Sequence, residues 1–126
     1  MAGIFICPTI ERSIMKIKKK SHETFAREDA HGGSGGRKLL LDDKEISNVQ
    51  GMTHGFLPAG AKFAWHSHEG MDEAMYVLKG QGIVRDEDGS YPYAAGDVFV
   101  FPKNIAHEIE NISDEEHEYI FVRVYE

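Results

Sequence analysis

Two glycine-bounded segments in the second half of the chain, residues 60–80 and 96–111, constrain its fold more than any other feature. They contain four side chains of metal-ligating type, His66, His68, Glu73 and His107. Imidazole nitrogens combined with a carboxylate oxygen suit one divalent transition metal such as Fe, Mn, Ni, Zn or Cu. A fold that uses these side chains together must bring two separate stretches of the chain to one point.

The sequence that follows residue 36 is typical of an all-β fold. Short stretches rich in β-branched and aromatic residues alternate with turn residues such as Gly, Pro, Asn and Asp. This spacing indicates a β-sandwich or a β-barrel. No apolar stripe of helical period has a convincing length, so helices should be few. The predicted strands are 37–41, 48–57, 62–68, 73–79, 81–85, 91–93, 97–101, 105–111 and 118–125.

Strand alternation explains how the four side chains can meet. Successive side chains on a strand face opposite sides, so His66 and His68 point the same way. Glu73 follows them across a turn that contains Gly70. If these faces and the face of His107 line one barrel interior, four ligand atoms can converge.

The two segments resemble the paired motifs of the cupin superfamily. Residues 60–80 match every fixed position of the first motif, G-x5-H-x-H-x3,4-E-x6-G. Residues 96–111 match the second motif, G-x5-P-x-G-x2-H-x3-N, except that Asn104 replaces its central glycine. Asparagine also tolerates a left-handed backbone, so this departure is mild. The resemblance covers roughly residues 38–125.

This resemblance implies an all-β fold, a double-stranded β-helix or jelly-roll barrel, with a metal near one open end. The family's ligands carry over to His66, His68, Glu73 and His107. The remaining coordination positions are expected to take water or substrate. One fold hosts many functions, so the resemblance does not decide the reaction.

Three further residues are candidates for the pocket or for support of the ligands: His54, Met75 and Asn111. His54 shares strand parity with Gln50, just before the first motif, and Asn111 is expected to support the site by hydrogen bonding. For Arg123 two interpretations remain open, a surface salt bridge, which is favoured, and the binding of a substrate carboxylate.

A chain of 126 residues buries one core, so we expect a single domain. Residues 31–126 are predicted to form the barrel, and residues 1–30 an N-terminal extension that acts as an edge strand or an arm. Within this extension, Ile4 to Thr9 is the apolar stretch that suits an edge strand. The glycine-rich residues 31–36 are predicted to be a flexible loop.

Composition excludes several classes of protein. The net charge of −7 argues against a nucleic-acid partner, because binding to nucleic acid requires a basic stripe on the protein surface. No apolar run is long enough for a membrane helix. Cys7 is the single cysteine, so an internal disulfide is impossible and a cytoplasmic location is the simplest expectation.

Strand residues of opposite parity to the ligands are predicted to form an outward apolar face. Phe63 and Trp65 on one strand, and Tyr76 and Leu78 on the next, are expected to face away from the barrel interior. Exposed apolar patches usually mark an interface, so this face predicts a homodimer. The competing interpretation is that residues 1–30 cover the face within one chain.

Three functions agree with these patterns. The favoured one is a metal-dependent enzyme that acts on a small polar metabolite by Lewis-acid chemistry, of the isomerase, lactonase or lyase type. The second is a metal-dependent dioxygenase. The third is a non-catalytic module that binds a small molecule or a metal.

Overall fold

The computed structural model describes residues 16–30 and 35–126. The predicted apolar edge strand near the N-terminus, Ile4 to Thr9, lies outside these residues. One 3-10 turn, His22–Thr24, precedes ten strands in the described part of the chain. These are β1 (Glu28–Ala30), β2 (Gly35–Leu41), β3 (Val49–Leu57), β4 (Lys62–His66), β5 (Met71–Lys79), β6 (Gly82–Asp86), β7 (Gly89–Tyr93), β8 (Val98–Phe101), β9 (His107–Glu110) and β10 (His117–Tyr125).

The strands form two antiparallel sheets. One has the order β1-β2-β3-β10-β5-β8 and the other β4-β9-β6-β7. Strands β4 and β5 belong to different sheets, so ligands on these two strands come from both layers of the fold. The all-β jelly-roll expectation is therefore confirmed, and the predicted strands correspond to β2 through β10 with small shifts at their ends.

The core lies between the two sheets and follows the alternation of their strands. On β5 the buried positions are Glu73, Met75 and Val77, while the residues between them are exposed. The largest fully buried side chains include Tyr119 and Phe63. Burial of these apolar groups at about 25 cal/mol per Å² is the main stabilising contribution to a domain of this size.

Phe63 does not face outward as its parity predicts. It is 1% exposed and packs against Tyr119 and Phe121. The register of β4 against β9 shifts between Phe63 and His66, which marks a β-bulge. Because a bulge inserts an extra residue, residues on either side of it face the same side of the sheet despite their opposite parity. Trp65, within the irregular stretch, is exposed as expected.

The predicted loop at residues 31–36 is partly wrong. Gly35 and Gly36 are buried residues of β2. A Cβ at Gly35 would lie 2.5 Å from the Phe63 ring, so the strand can pack there only without a side chain. Strand β1 pairs with this part of β2 at the sheet edge. The division of the chain at residue 30 stays a prediction.

Residues 16–30 and 35–126 contain no helix with the length and hydrophobicity that a membrane span requires. The cytoplasmic location stays a prediction.

Candidate metal centre

His66 and His107 are cross-strand neighbours. They lie opposite each other in the pairing of β4 with β9, and their ring centroids are 4.4 Å apart. His107 also stacks on Phe101 of the other sheet, at 4.0 Å between centroids and 11° between planes. The bulge that turns Phe63 inward is what places His66 on the same inner face. Strand pairing therefore fixes two of the four candidate ligands.

The short turn between β4 and β5 carries His68, and Glu73 follows it as the third residue of β5. Gly70 has a left-handed φ of +70° between His68 and Glu73. Asn104, itself left-handed at φ 66°, supports this turn from the β8–β9 connection. Its backbone N–H donates to His68 O at 3.0 Å, and its side-chain oxygen accepts from Gly70 N–H at 3.2 Å. Asparagine thus adopts the backbone that the family's glycine provides and adds a hydrogen bond.

One ligand atom from each of the four residues lies within 4.8 Å of the others. His66 Nδ1 donates to Ala64 O at 2.7 Å, and His107 Nδ1 donates to Ile105 O at 3.1 Å. In a neutral imidazole, protonation of Nδ1 leaves a lone pair on Nε2. These backbone bonds therefore set the tautomer that a metal ligand needs.

Two of the ligand atoms are buried without a hydrogen bond. His68 Nε2 and His107 Nε2 have no hydrogen-bond partner among the described residues. Their nearest acidic atom is Glu73 Oε1, at 3.3 Å and 3.7 Å. A buried unsatisfied polar atom costs about 1–3 kcal/mol, so two of them facing one carboxylate call for an explanation. A cation held between them explains both, and the N3O donor set fits a divalent transition metal.

The protonation states also suit a metal. Burial raises the pKa of Glu73, but the imidazoles of His107 and His68 that face it and the charge of Arg123 outweigh burial and hold that pKa well below its usual range. Burial lowers the pKa of His66, although its bond to Ala64 O acts in the opposite direction. Glu73 is therefore a carboxylate and His66 a neutral imidazole near pH 7.

Arg123 is part of this site. Its Nη1 donates to Glu73 Oε2 at 3.0 Å, and its Nε donates to Gln50 Oε1 at 2.7 Å. The side chain of Arg123 is 13% exposed, so the favoured prediction of a surface salt bridge is wrong in its location. On β10 the buried residues Tyr119 and Phe121 alternate with less buried ones, and Arg123 continues this alternation. The same alternation in the sequence indicates that Arg123 faces inward.

A cavity of about 420 Å³ opens at the ligands. Its volume is in the range of small-molecule sites, which begins at about 300 Å³. Its wall combines polar and charged side chains with apolar ones. Besides the ligands His66, His68 and Glu73, the wall includes Asp29, Arg37, Gln50, Thr53, Phe63, Ile109, Phe121 and Arg123. No sequence pattern predicts Asp29 and Arg37 as wall residues, because both precede the motifs.

His54, one of the candidates for the pocket, does not line this cavity. Its Nε2 lies 2.8 Å from Glu118 Oε1 and its ring stacks on Phe56. The neighbouring Thr53 lines the cavity instead. Gln50, which shares parity with His54, does reach the cavity, because the register of β3 against β10 shifts beside it. The bulge therefore breaks the parity argument.

Asn111 and Met75 have structural positions. Asn111 donates to Leu57 O and Glu115 O and accepts from the backbone and hydroxyl of Ser113. All four hydrogen-bonding positions of its amide are thus used away from the ligands, so it does not support them as expected. Met75 is fully buried in the core cluster, on the same face of β5 as Glu73 but not on the cavity wall.

Comparison with known families agrees with this geometry. The model of the Cupin domain family matches residues 54–123, more than half of the chain and all four candidate ligands. This chain belongs to the cupin superfamily. The family, the fold and the cluster of four ligands therefore agree with the motifs in the sequence.

Several cupins are similar to this chain. An oxalate-binding protein of Thermotoga maritima is 36% identical over 66 residues, which is 52% of this chain and 54% of the relative. An uncharacterised protein of Methanocaldococcus jannaschii is 28% identical over 100 residues, or 79% of this chain and 80% of the relative. The crystal structure of a predicted oxalate decarboxylase from Thermotoga maritima has a TM-score of 0.71 at 28% identity, and covers 81% of this chain and 92% of the other.

Proposed function

We propose that this cupin is an enzyme that holds one divalent transition metal with His66, His68, Glu73 and His107 and acts on a small polar metabolite. The observation that carries the proposal is the pair of buried imidazole nitrogens without hydrogen bonds, which face the Glu73 carboxylate. The adjoining cavity leaves room for a small molecule beside the ligands.

When bound, the metal would supply Lewis-acid chemistry by polarising a carbonyl or carboxylate oxygen of the substrate. The chain's own residues prepare the site for that chemistry. Arg123 holds Glu73 Oε2 in place. Phe63, Ile109 and Phe121 provide an apolar wall that limits water. Asp29 is a carboxylate on the cavity wall that can accept or return a proton.

Two matches from Thermotoga maritima favour an acidic substrate. One is named for binding oxalate, and another, of known structure, is a predicted oxalate decarboxylase. Arg37 and Arg123 on the cavity wall are the groups with which proteins recognise carboxylates. The oxalate-binding relative also supports a second candidate function, non-catalytic binding of a small carboxylate at the same metal.

Metal analysis of protein purified without added metal tests this function. We expect about one Mn, Fe, Ni, Zn or Cu ion per chain, since the four donor atoms lie close enough together to bind a single ion. Oxygen electrode measurements with candidate acids then separate the chemistries. Turnover without oxygen uptake agrees with Lewis-acid chemistry, oxygen uptake indicates a dioxygenase, and binding without turnover indicates a binding module. Protein that takes up no metal even at excess would contradict the proposal.

We also propose that the chain forms a homodimer through the outer face of β5 and β8. Within the described residues, β8 is paired on one side only. Its outward Val98 and Val100 are 63% and 68% exposed and lie beside Tyr76 and Ala74 of β5. An apolar edge strand of this kind is suited to packing against a second copy.

The double variant Val98→Asp with Val100→Asp should therefore be monomeric, because it places two carboxylates in the apolar interface. Light scattering after size-exclusion chromatography measures this. Ile46→Asp is the matched control, since Ile46 is exposed but lies outside these strands. A monomeric wild-type protein, or a double variant that stays dimeric, would refute the proposed interface.

A further inference from the structure

Three polar side chains form a wall of unused hydrogen-bond donors at one side of the cavity. Arg37, Gln50 and Arg123 line both the 420 Å³ cavity and an adjoining hollow of about 210 Å³. Arg123 uses Nη1 and Nε, and Arg37 uses only Nε, which donates to Glu28. Among the described residues, the other guanidinium nitrogens and the Gln50 amide nitrogen have no hydrogen-bond partner, so these nitrogens remain available as donors.

Two glycines of β3 lie beside this wall. Arg37 lies opposite Gly55 of β3, and Arg123 lies opposite Gly51 of the same strand. The two arginines thus lie on the strands on either side of β3, while Thr53, between the two glycines, also lines the cavity. A Cβ at Gly51 would already lie 3.4 Å from Arg123 Nη2. The Phe121 ring already covers Gly55, where a Cβ would lie 2.7 Å from it, so the part of β3 that is free of side chains lies at Gly51, beside Arg123.

Structure alone does not account for Arg37. Its partner Glu28 is 54% exposed, and exposed ion pairs contribute only about 0–1 kcal/mol. Two arginines on one wall also repel each other. Asp42 and Asp43 line the adjoining hollow but not the main cavity, so the main cavity is where the two arginines favour an anion.

The charges of the wall and the metal ligands together point to a substrate class. The charged residues that line the cavity, within the described residues, are Asp29, Arg37, Glu73 and Arg123, which sum to zero. A divalent cation at the ligands would make this total positive. A ligand with two acidic groups could then neutralise the metal with one end and the arginine wall with the other.

Resting on the proposed function, we propose that Arg37, with Gln50 and Nη2 of Arg123, binds the far acidic group of a small dianionic substrate whose near end reaches the metal. The class is an elongated dicarboxylate or a phosphorylated carboxylic acid. Oxalate is too short to need Arg37, because its two carboxylates are directly joined. Arg37 lies outside the residues that match the family model, so this specificity belongs to the chain rather than to the shared motifs.

Calorimetric titration of the Zn²⁺-loaded full chain tests the subsite. Propionate, succinate, phosphoglycolate and oxalate are titrated into wild type, Arg37→Gln and Arg37→Lys. In the wild type, succinate or phosphoglycolate should bind at least about tenfold more tightly than propionate, the effect of one charge-assisted hydrogen bond. Whichever of the two binds more tightly identifies the far group as carboxylate or phosphate. Arg37→Gln should abolish this preference and leave oxalate, propionate and Zn²⁺ binding unchanged, while Arg37→Lys should retain part of it.

Lys38→Gln is the matched control. Lys38 is the next residue of β2, does not line the cavity and loses the same charge on substitution. It should keep the dianion preference. If Zn²⁺ binds but Arg37→Gln retains the preference, or if Lys38→Gln loses it equally, the subsite is refuted and the metal site stands. If wild type binds no Zn²⁺, the proposed function and the subsite both fail.

Discussion

Replacing His66 and His68 together by alanine lowers the metal affinity by more than about 100-fold and leaves the barrel folded, since two of four ligands are lost while the core is untouched. Neither residue belongs to the core cluster, and both line the cavity. The substitution also removes one of the buried nitrogens without a hydrogen bond. Metal titration with a competing chelator measures the affinity, and far-UV circular dichroism measures the fold.

His54→Ala is the matched control for this variant. His54 is also a partly buried histidine, but it pairs with Glu118 and stands off the cavity. Its replacement should leave the metal affinity at the wild-type level. Collapse of the β-sheet signal in the double variant would show that the ion, and not the core, holds the barrel together. Unchanged metal affinity would show that the ligands lie elsewhere.

Gly80→Ala destabilises the protein by about 3 kcal/mol or more, because it combines backbone strain with overpacking. Gly80 has a φ of +110°, which side chains with a Cβ rarely adopt. A Cβ there would also overlap the ring of His117. This ring cannot move aside, since it is 1% exposed and bonds through Nδ1 to the Tyr93 hydroxyl at 2.6 Å and through Nε2 to the Ser113 hydroxyl at 2.9 Å.

Urea unfolding of Gly80→Ala and Gly96→Ala separates the two causes. Gly96 has a similar φ of +96°, but a Cβ there would meet nothing within 4 Å. It should therefore show only the backbone cost of about 1–2 kcal/mol. Equal losses in the two variants would mean that contact with His117 contributes nothing. A Gly80→Ala protein of wild-type stability would show that neither the positive φ nor the contact with His117 carries a cost.

Bulges mark the places where the sequence misleads. The parity of Phe63 predicts the wrong face because a register shift separates it from His66, and the parity that His54 shares with Gln50 fails because a register shift lies at Gln50. Side-chain parity holds only while the pairing is regular, and one inserted residue inverts it. On β5, where Glu73 and Met75 alternate without interruption, the parity prediction is confirmed.

The cavity wall also depends on contacts that are distant in sequence. Asp29 and Arg37 come from β1 and β2, and Arg123 comes from β10 at the other end of the chain. They join one wall because β3 lies between β2 and β10 in the larger sheet. No local pattern encodes that strand order, so nothing in the sequence distinguished Arg37 from a surface arginine.

The sequence by itself determined the β-strands, the turns between them and the four candidate ligands, because alternation, turn residues and motif spacing are local properties. Only the tertiary structure decided which further residues face the ligands and which donor groups remain unused. Pairing between distant strands, and the bulges within it, set those positions, and their energies come from contacts that form only when the two sheets close on each other.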